Sequence, residues 1–175
     1  MKAELTALVV GKFAPFHKGH QLVIDKALET LANVIVLLYS NPDFEIMPSA
    51  IRANWIKEIY HERSVQVFTP TNPPLNSADD FVQRKFVKDW LERELAEVQI
   101  DKVFGSEDYI AGFADYLGVP YELVDLGRKQ QAISGTALRR ALNQLNEPAS
   151  YEVLKSYLHP IVLQSLLEVK NGVVQ

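Results

Sequence analysis

His17 and His20 stand three residues apart and close to Lys12, in the segment 11–20 (GKFAPFHKGH). An apolar run at residues 5–10 predicts a buried strand before this segment, and residues 21–28 carry apolar side chains at helical spacing after it. The two histidines are therefore predicted on the first turn of a helix. Unpaired N–H groups and a partial positive charge at a helix N-terminus suit a phosphate. Together with Lys12, the two imidazoles predict a site for a polyphosphate.

The histidine pair has two other interpretations. A pair at this spacing is also found in zinc sites, but no third ligand lies nearby in the sequence and the chain has no cysteine. Two surface histidines are equally disfavoured by the glycines and the proline around them. We expect Gly19 to leave room for a phosphate to approach the backbone.

A second segment of this kind follows at residues 133–139 (ISGTALR). Ser134, Thr136 and the N–H groups around Gly135 are predicted to form another phosphate cradle at a helix start. Ser134 also suits a plain N-cap, and the two roles are compatible. Arg139 lies one turn along the same helix, where its guanidinium can bind phosphate oxygens in pairs. Arg140 is expected to face elsewhere, as a surface charge.

Length and composition limit the class of protein. We expect the 175 residues to form one domain, residues 1–175, with a helical C-terminal subdomain from about residue 147. A net charge of −4 argues against nucleic acid as a partner. The absence of cysteine excludes disulfides and fits a cytoplasmic location, which is our expectation. We see no signal-peptide pattern and no apolar run that could span a membrane.

Strand and helix patterns alternate along most of the chain. Four further strands are predicted at residues 34–39, 65–68, 102–105 and 120–124. Helices are predicted at 49–60, 77–98 and 107–117, followed by a helical region from 135 to about 169 with breaks at Pro148 and Pro160. This order predicts an α/β fold, a doubly wound parallel five-stranded sheet with a helical C-terminal tail. Ligands of such sheets bind beyond the carboxyl ends of the strands.

Both short segments resemble the signatures of the nucleotidyltransferase superfamily, the first as its HxGH motif. The forms Gly-Lys-Phe-x-Pro-x-His and Ser-Gly-Thr-x-x-Arg are most similar to those of nicotinamide-mononucleotide (NMN) adenylyltransferases, over residues from Leu5 to about Pro160. The resemblance implies a Rossmann-like nucleotidyltransferase domain. It also implies transfer of AMP from ATP to NMN by in-line attack at the α-phosphate, giving NAD and pyrophosphate. Mg²⁺ would bind mainly through the ATP phosphates, with no protein ligand named, and the protein could form a homo-oligomer.

The resemblance also implies roles for particular residues. The catalytic residues would be Lys12, His17, His20 and Arg139. The nucleotide-binding residues would be Gly11, Phe13, Ala14, Gly19, Ser106, Ile133, Ser134 and Thr136. For the segment that contains Ser106 the alternative is an ordinary helix N-cap with an acidic first turn. For Lys12 the alternative is a solvated lysine at a strand end.

Two residues are expected to bind the acceptor. Arg52 stands where relatives hold an arginine near the acceptor, and its alternative is a solvated helix arginine. Phe81 stands where relatives usually place a tryptophan against the nicotinamide ring, and its alternative is a core residue. Arg128 and Lys129, in the loop before the second signature, could lie near the nucleotide, and a solvated loop is the simpler account.

Rival functions remain open. One rival is a pantetheine-phosphate adenylyltransferase or a cytidylyltransferase. These enzymes usually have Thr or Ser in place of Lys12 and Asp in place of Ala14, which argues against this rival. A nucleotide sensor without catalysis is disfavoured because both signatures are intact. The chain contains neither G-x-G-x-x-G nor G-x-x-x-x-G-K-[ST], so a dehydrogenase-type dinucleotide site and a P-loop are not supported.

Overall fold

A computed structural model describes residues 4–172 of the chain. The strands are β1 (Thr6–Gly11), β2 (Asn33–Leu38), β3 (Val65–Phe68), β4 (Lys102–Gly105) and β5 (Tyr121–Leu123). The helices are α1 (Lys18–Thr30), α2 (Ser49–Ile59), α3 (Asp80–Glu94), α4 (Tyr109–Leu117), α5 (Gly135–Asn143), α6 (Pro148–Tyr157) and α7 (Pro160–Lys170). The predicted order of elements is confirmed.

The five strands form one parallel sheet in the order β3-β2-β1-β4-β5. The central strand, β1, pairs with β2 on one side and with β4 on the other; Ala7, for example, lies between Val34 and Lys102. The strand order reverses between β1 and β4, which makes this the topological switch point of a doubly wound sheet. The predicted fold class is confirmed.

Alternate residues of the strands face two separate apolar layers, as the pleat of a strand requires. Ala7 and Val9 of β1 belong to the layer that contains buried residues of α1, α2 and the C-terminal helices. Leu8 belongs to the opposite layer, under α3 and α4. Helices therefore cover both faces of the sheet, and the site edge at the strand ends is left open between them.

The C-terminal helices pack in the same layer as α1 and α2, through residues that include Leu158 and Leu166. Both expected breaks are present, because Pro148 begins α6 and Pro160 begins α7, where a missing N–H costs nothing. The division of the chain into one domain with a C-terminal subdomain stays a prediction. Of the helices in residues 4–172, none combines the length and the apolar character needed to cross a bilayer.

The main difference from the predicted elements concerns α3. It begins at Asp80 rather than Ser77, because the N-cap is Asp79, whose carboxylate accepts from the N–H of Val82 at 3.0 Å. It ends at Glu94 rather than near Val98, and turns follow. Strand β5 begins one residue after Pro120, which has no N–H to donate to a neighbouring strand.

Candidate active site

A cavity of about 390 Å³ opens at the carboxyl ends of β1 and β4, where the strand order reverses. This volume lies within the usual range of small-molecule sites. A smaller cavity of about 60 Å³ adjoins it and shares part of its lining, including His20, Ser106 and Ser134. The two signature segments meet here although more than one hundred residues separate them in the sequence.

His17 and His20 cap α1 together. His17 is the N-cap, and its Nδ1 accepts from the N–H of Gly19 at 3.0 Å. His20 stands at the third helical position, and its Nδ1 accepts from the N–H of His17 at 3.2 Å. The two rings stack with their centroids 3.7 Å apart. This reciprocal pair is a capping box in which imidazoles replace the usual hydroxyl and carboxylate.

This capping fixes the protonation of both rings. Because each Nδ1 accepts a backbone N–H, each neutral ring carries its proton on Nε2. Burial and the charge of Arg128 lower the pKa of His17 to about 4. Burial, His17 and Arg128 lower the pKa of His20 well below its ordinary value. At neutral pH both rings are therefore uncharged donors.

Both Nε2–H groups are available to a ligand. In residues 4–172 the one fully buried side-chain N or O atom without a partner is Trp55 Nε1. Neither Nε2 atom has a protein partner within these residues, and neither is fully buried. Both atoms are therefore accessible from solvent-filled space. His20 lines both cavities, and His17 lines the smaller one.

Gly19 is required mainly by the His17 ring rather than by an approaching phosphate. A Cβ at residue 19 would lie 2.8 Å from Cε1 of His17 and 2.9 Å from its Nδ1. The expectation that Gly19 leaves room for a phosphate is corrected in this sense, because the space beside its α-carbon is filled by the imidazole. Gly19 lines the smaller cavity.

The segment before α1 makes a tight turn. Phe13 is 4% exposed and has φ = 53°, in the left-handed region that a phenylalanine rarely adopts. Its ring occupies the space beside Gly11, where a Cβ would meet Cζ of Phe13 at 3.2 Å. Gly11, Lys12, Phe13 and Ala14 all line the larger cavity.

The second signature begins α5 at the same cavity. Ser134 is the N-cap, and its Oγ accepts from the N–H of Ala137 at 3.2 Å. Arg139 donates from Nη1 to the carbonyl of Ala14 at 2.6 Å and from Nη2 to Oγ1 of Thr136 at 3.1 Å. Ser134, Thr136 and Arg139 line the cavity, whereas Arg140 is exposed outside it. Ile133 lines the smaller cavity and Ser106 lines both.

Positive charge exceeds negative charge in the cavity. Arg84 and Arg128 are weakly paired, with N···O distances of 3.5 Å to Asp80 and 3.8 Å to Glu107. Lys12 and Arg139 also line the cavity, and within residues 4–172 neither has a carboxylate at ion-pair distance. Arg128 lines both cavities, and its side chain is also 47% exposed in the loop before α5, so a place near the nucleotide and a solvated loop are both compatible with the structure.

Arg52 is not placed where a ligand can reach it. Its side chain is 0% exposed and lies outside the cavity lining. Its guanidinium donates to protein acceptors, which are the carbonyls of Lys12 and Met47, the hydroxyls of Ser40 and Ser49, and the carboxylate of Asp43. The prediction that Arg52 binds the acceptor is corrected, because its buried guanidinium is already hydrogen-bonded to these protein groups. The solvated alternative is wrong as well.

Phe81 fits neither of its two interpretations. It is 60% exposed, so it is not a core residue, and it lies outside the cavity lining, with its ring perpendicular to that of Tyr116 at a centroid distance of 5.8 Å. Successive residues of a helix point about 100° apart. Asp80, Gln83 and Arg84 face the cavity, so Phe81 faces away from it. Its predicted stacking on the acceptor is corrected for this geometric reason.

Several cavity residues were missed by sequence reasoning. Tyr39, which follows β2, donates from its hydroxyl to Oε1 of Gln83 at 3.0 Å, and burial raises the pKa of its phenol. Tyr109 and Phe113 line the cavity from α4. Their i, i+4 spacing, directly after the strand at the switch point, is the signal that would have found them.

The described part of the chain does not contain a metal centre of its own. In residues 4–172 no group of three or more His, Asp or Glu side chains is arranged to hold a metal ion. The carboxylates of Asp80 and Glu107 line the cavity singly. These donors suit an ion that arrives with a phosphate ligand and keeps most of its waters.

The match to a protein family covers most of the chain. The model of the cytidylyltransferase-like family matches residues 8–141, which include both signature segments. The chain belongs to this family, and its identification with the nucleotidyltransferase superfamily is confirmed. A comparison with curated proteins gives no match.

Solved structures with the same fold bind nucleotides. NadR protein, in complex with NAD and AMP-PNP, has 20% sequence identity and a TM-score of 0.56, and the match covers 79% of this chain and 42% of that one. TmcAL of Thermotoga maritima, bound with alpha-thio ATP, has 16% identity and a TM-score of 0.67, covering 97% and 57%. The chain thus spans about half the length of these two proteins.

Two further neighbours are described as adenylyltransferases of nicotinate nucleotide or of NMN. A Vibrio parahaemolyticus protein proposed to be a nicotinate-nucleotide adenylyltransferase has 18% identity and a TM-score of 0.61, over 94% of this chain and 99% of that one. A bifunctional NMN adenylyltransferase/ADP ribose pyrophosphatase of Francisella tularensis, complexed with AMP and a Mn ion, has 16% identity and a TM-score of 0.60, over 98% and 54%. At these identities the likeness establishes the fold alone.

Proposed function

We propose that this protein transfers AMP from ATP to the phosphate of NMN, forming NAD and pyrophosphate. The observation that carries the proposal is the convergence of two helix N-termini, those of α1 and α5, on the two adjoining cavities. Lys12 and Arg139 line the larger of these cavities, and neither has a carboxylate partner in residues 4–172. Such a site suits a ligand with several phosphates.

The reaction needs positioned donors and cations more than a protein base. An oxygen of the acceptor phosphate attacks the α-phosphorus of ATP and forms a P–O bond. The bond from the α-phosphorus to the bridging oxygen breaks, and that oxygen leaves with pyrophosphate. Because the nucleophile is already an anion, catalysis rests on alignment and on stabilising the negative charge that develops.

The residues of this chain have distinct tasks in that step. The Nε2–H groups of His17 and His20 donate to phosphate oxygens and do not change protonation during turnover. Arg139, fixed by the carbonyl of Ala14, holds the β- and γ-phosphates. Lys12, at the end of β1, neutralises charge on the transferred or the acceptor phosphate.

Mg²⁺ fits this site as a companion of ATP. The cavity offers single carboxylates rather than a cluster, so Asp80 and Glu107 would contact the ion only through its waters. When bound, the ion neutralises charge on the triphosphate and makes the leaving group more stable.

The lining from β2, α3 and α4 supports a flat acceptor with a polar substituent. Tyr39, Tyr109 and Phe113 offer aromatic surface. The amides of Asn76 and Gln83 line the same part, and each is bonded within the protein through one N–H and one oxygen lone pair, which leaves the second of each for a ligand. A nicotinamide ring, which is planar and carries one amide, matches this combination. This part of the cavity replaces Phe81 as the expected acceptor site.

The experiment is a product analysis with donors and acceptors varied. The protein with Mg²⁺ and ATP or CTP is incubated with NMN, nicotinate mononucleotide, phosphopantetheine and glycerol 3-phosphate, and products are identified by mass. We expect NAD and pyrophosphate from ATP and NMN, and little product from CTP. Turnover only with phosphopantetheine or with a polyol phosphate would overturn the acceptor, and no pyrophosphate from any pair would indicate a nucleotide sensor.

A further inference from the structure

The buried guanidinium of Arg52 connects the segment 40–52, to which it belongs, with the turn before α1. Its Nε donates to the carbonyl of Met47 at 2.7 Å and its Nη2 donates to Oγ of Ser40 at 2.8 Å. The same guanidinium donates to the carbonyl of Lys12 and pairs with Asp43. A fully buried charge with these partners holds the backbone of both segments in one arrangement.

The turn at Phe13 is held from both sides by arginines. Arg52 binds the carbonyl before it, that of Lys12, and Arg139 binds the carbonyl after it, that of Ala14, at 2.6 Å. Between them Phe13 keeps φ = 53°. A residue other than glycine keeps a left-handed backbone conformation only where its surroundings enforce it. The two hydrogen bonds from the arginines supply that constraint.

The ring of Phe44 connects the two arginines. The guanidinium carbons of Arg52 and Arg139 each lie 5.2 Å from the centroid of this ring. Both distances are within the range of a cation–π interaction. The ring therefore contacts one buried structural arginine and one arginine of the cavity.

Phe44 is itself fixed by Asp43. The N–H of Phe44 donates to Oδ1 of Asp43 at 2.9 Å, and the N–H of Ser49 donates to Oδ2 at 2.8 Å. Burial opposes ionisation, but these bonds and the hydroxyl of Ser40 hold the pKa of the Asp43 carboxyl below its usual range. The carboxylate thus stays charged and keeps both Phe44 and Arg52 in place.

We propose that Asp43, Phe44 and Arg52 are a positioning unit for the phosphate-binding machinery. They orient Arg139 and the Lys12–Ala14 turn without touching the substrates, because all three lie outside the cavity lining. The inference goes beyond the proposed function, on which it rests for its kinetic readout. It gives Arg52 a role different from the acceptor binding that the resemblance implied.

The test removes the aromatic ring of Phe44 while approximately keeping the size of the side chain. In Phe44→Leu the Arg139 guanidinium loses its ring partner, so kcat/KM for ATP should fall about tenfold, equivalent to about 1.4 kcal/mol. The KM for NMN should not change, and Phe44→Tyr should retain the wild-type value. Phe68→Leu is the matched control, because Phe68 is also half-buried but packs on Trp90 in the opposite layer.

A double variant tests whether Phe44 acts through Arg139. If it does, Phe44→Leu added to Arg139→Lys should cause little further loss of kcat/KM for ATP. Multiplicative losses would overturn the proposal. So would a raised KM for NMN, or a lower melting temperature with unchanged kcat/KM for ATP.

A spectroscopic measurement separates this proposal from the proposed function. In the free protein the Nε–H resonances of Arg52 and Arg139 should be shifted by the ring current of Phe44, and Phe44→Leu should remove both shifts. If ATP and NMN give no turnover but the shifts behave in this way, the proposed function fails and the positioning unit stands. If Phe44→Leu leaves the Arg139 resonance unchanged, the positioning unit is wrong.

Discussion

At the residue level, the two ring nitrogens of His17 have different tasks. Nδ1 caps α1 and Nε2–H is free for a phosphate oxygen. Asn caps helices well, but its amide N–H groups lie closer to the backbone than Nε2–H of histidine and do not reach the same position. We therefore predict that His17→Asn keeps the wild-type stability at pH 7.5 and lowers kcat roughly 10²- to 10³-fold. Denaturant unfolding and steady-state kinetics measure the two effects.

His17→Ala is the matched comparison. It removes both tasks, so it should lose activity to a similar extent and also cost about 1 kcal/mol in unfolding free energy. A folded His17→Asn protein with near wild-type kcat would contradict the donor role of Nε2–H. The same pair of variants applies to His20, whose Nδ1 accepts the N–H of His17.

Arg139 and Arg140 offer a test within one helix turn. Arg139 lines the cavity and binds the carbonyl of Ala14, whereas Arg140 is exposed outside it. Arg139→Ala should raise the KM for ATP and lower kcat, and Arg140→Ala should change neither by more than about twofold, because exposed charges contribute little. Initial rates over a range of ATP concentrations decide this, and equal losses would refute the assignment.

Residues in short motifs at helix starts were the easiest to predict. His17, His20, Ser134 and Arg139 lie where the sequence indicated, because their spacing from a helix N-terminus determines their direction. Arg52 was misjudged because spacing does not reveal burial. Its role depends on acceptors from residues 12, 40, 43, 47 and 49, which only the folded backbone assembles.

At the level of elements, the start of α1 depends on a glycine. In an ordinary helix, replacing Gly by Ala stabilises by about 0.5–1 kcal/mol. Here a Cβ at Gly19 would lie 2.8 Å from the His17 ring and displace it from the cap. Gly19→Ala should therefore lower the melting temperature and reduce kcat together, as thermal denaturation and kinetics would measure.

Gly127→Ala is the control for that substitution. Its Cβ would meet the side chain of Lys129 at no less than 3.6 Å, an ordinary contact, so neither quantity should change. A more stable and fully active Gly19→Ala protein would show that the capping box of α1 is not needed.

Elements were predicted where local signals were strong. The apolar runs of β1 and β2 are buried on both faces of a parallel sheet, and Pro148 and Pro160 determine where α6 and α7 begin. The start of α3 was displaced because Ser77 and Asp79 are both good N-caps. Only the contact between Asp79 and the N–H of Val82 selects one of them.

For the whole molecule, the buried histidines make stability depend on pH. The folded-state pKa of His17, about 4, is lower than its unfolded value near 6.5, so the unfolded state takes up protons first as the pH falls. The contribution is complete above pH 6.5 and is lost between pH 6.5 and 4. At pH 5 the loss should be about 2 kcal/mol for this residue.

The His17→Asn variant isolates the contribution of His17 to the pH dependence of stability, because asparagine does not titrate. When the pH is lowered from 7.5 to 5, the unfolding free energy should fall by about 2 kcal/mol more in the wild type than in the variant. An equal fall in both proteins would mean that His17 is not held neutral by the fold.

The site also depends on the complete sheet. Lys12 and Ser106 follow β1 and β4, and the two strands are neighbours through the parallel pairing of residues 7–9 with residues 102–104. The rule that ligands bind where the strand order reverses predicted the edge of the sheet. Which helix faces line it, and hence the absence of Phe81 and the presence of Tyr39 and Gln83, required the packed structure.

The stereochemical course at phosphorus distinguishes direct transfer of the nucleotide from transfer through a covalent intermediate on the protein. Neutral histidines that donate from Nε2–H imply one direct displacement at the α-phosphorus, with no covalent nucleotide on the protein. With one diastereomer of α-thio-ATP and NMN, we expect a thio-substituted NAD whose configuration at phosphorus is inverted. Retention of configuration would indicate a nucleotidyl-histidine intermediate, and absence of the product would contradict the proposed transfer itself.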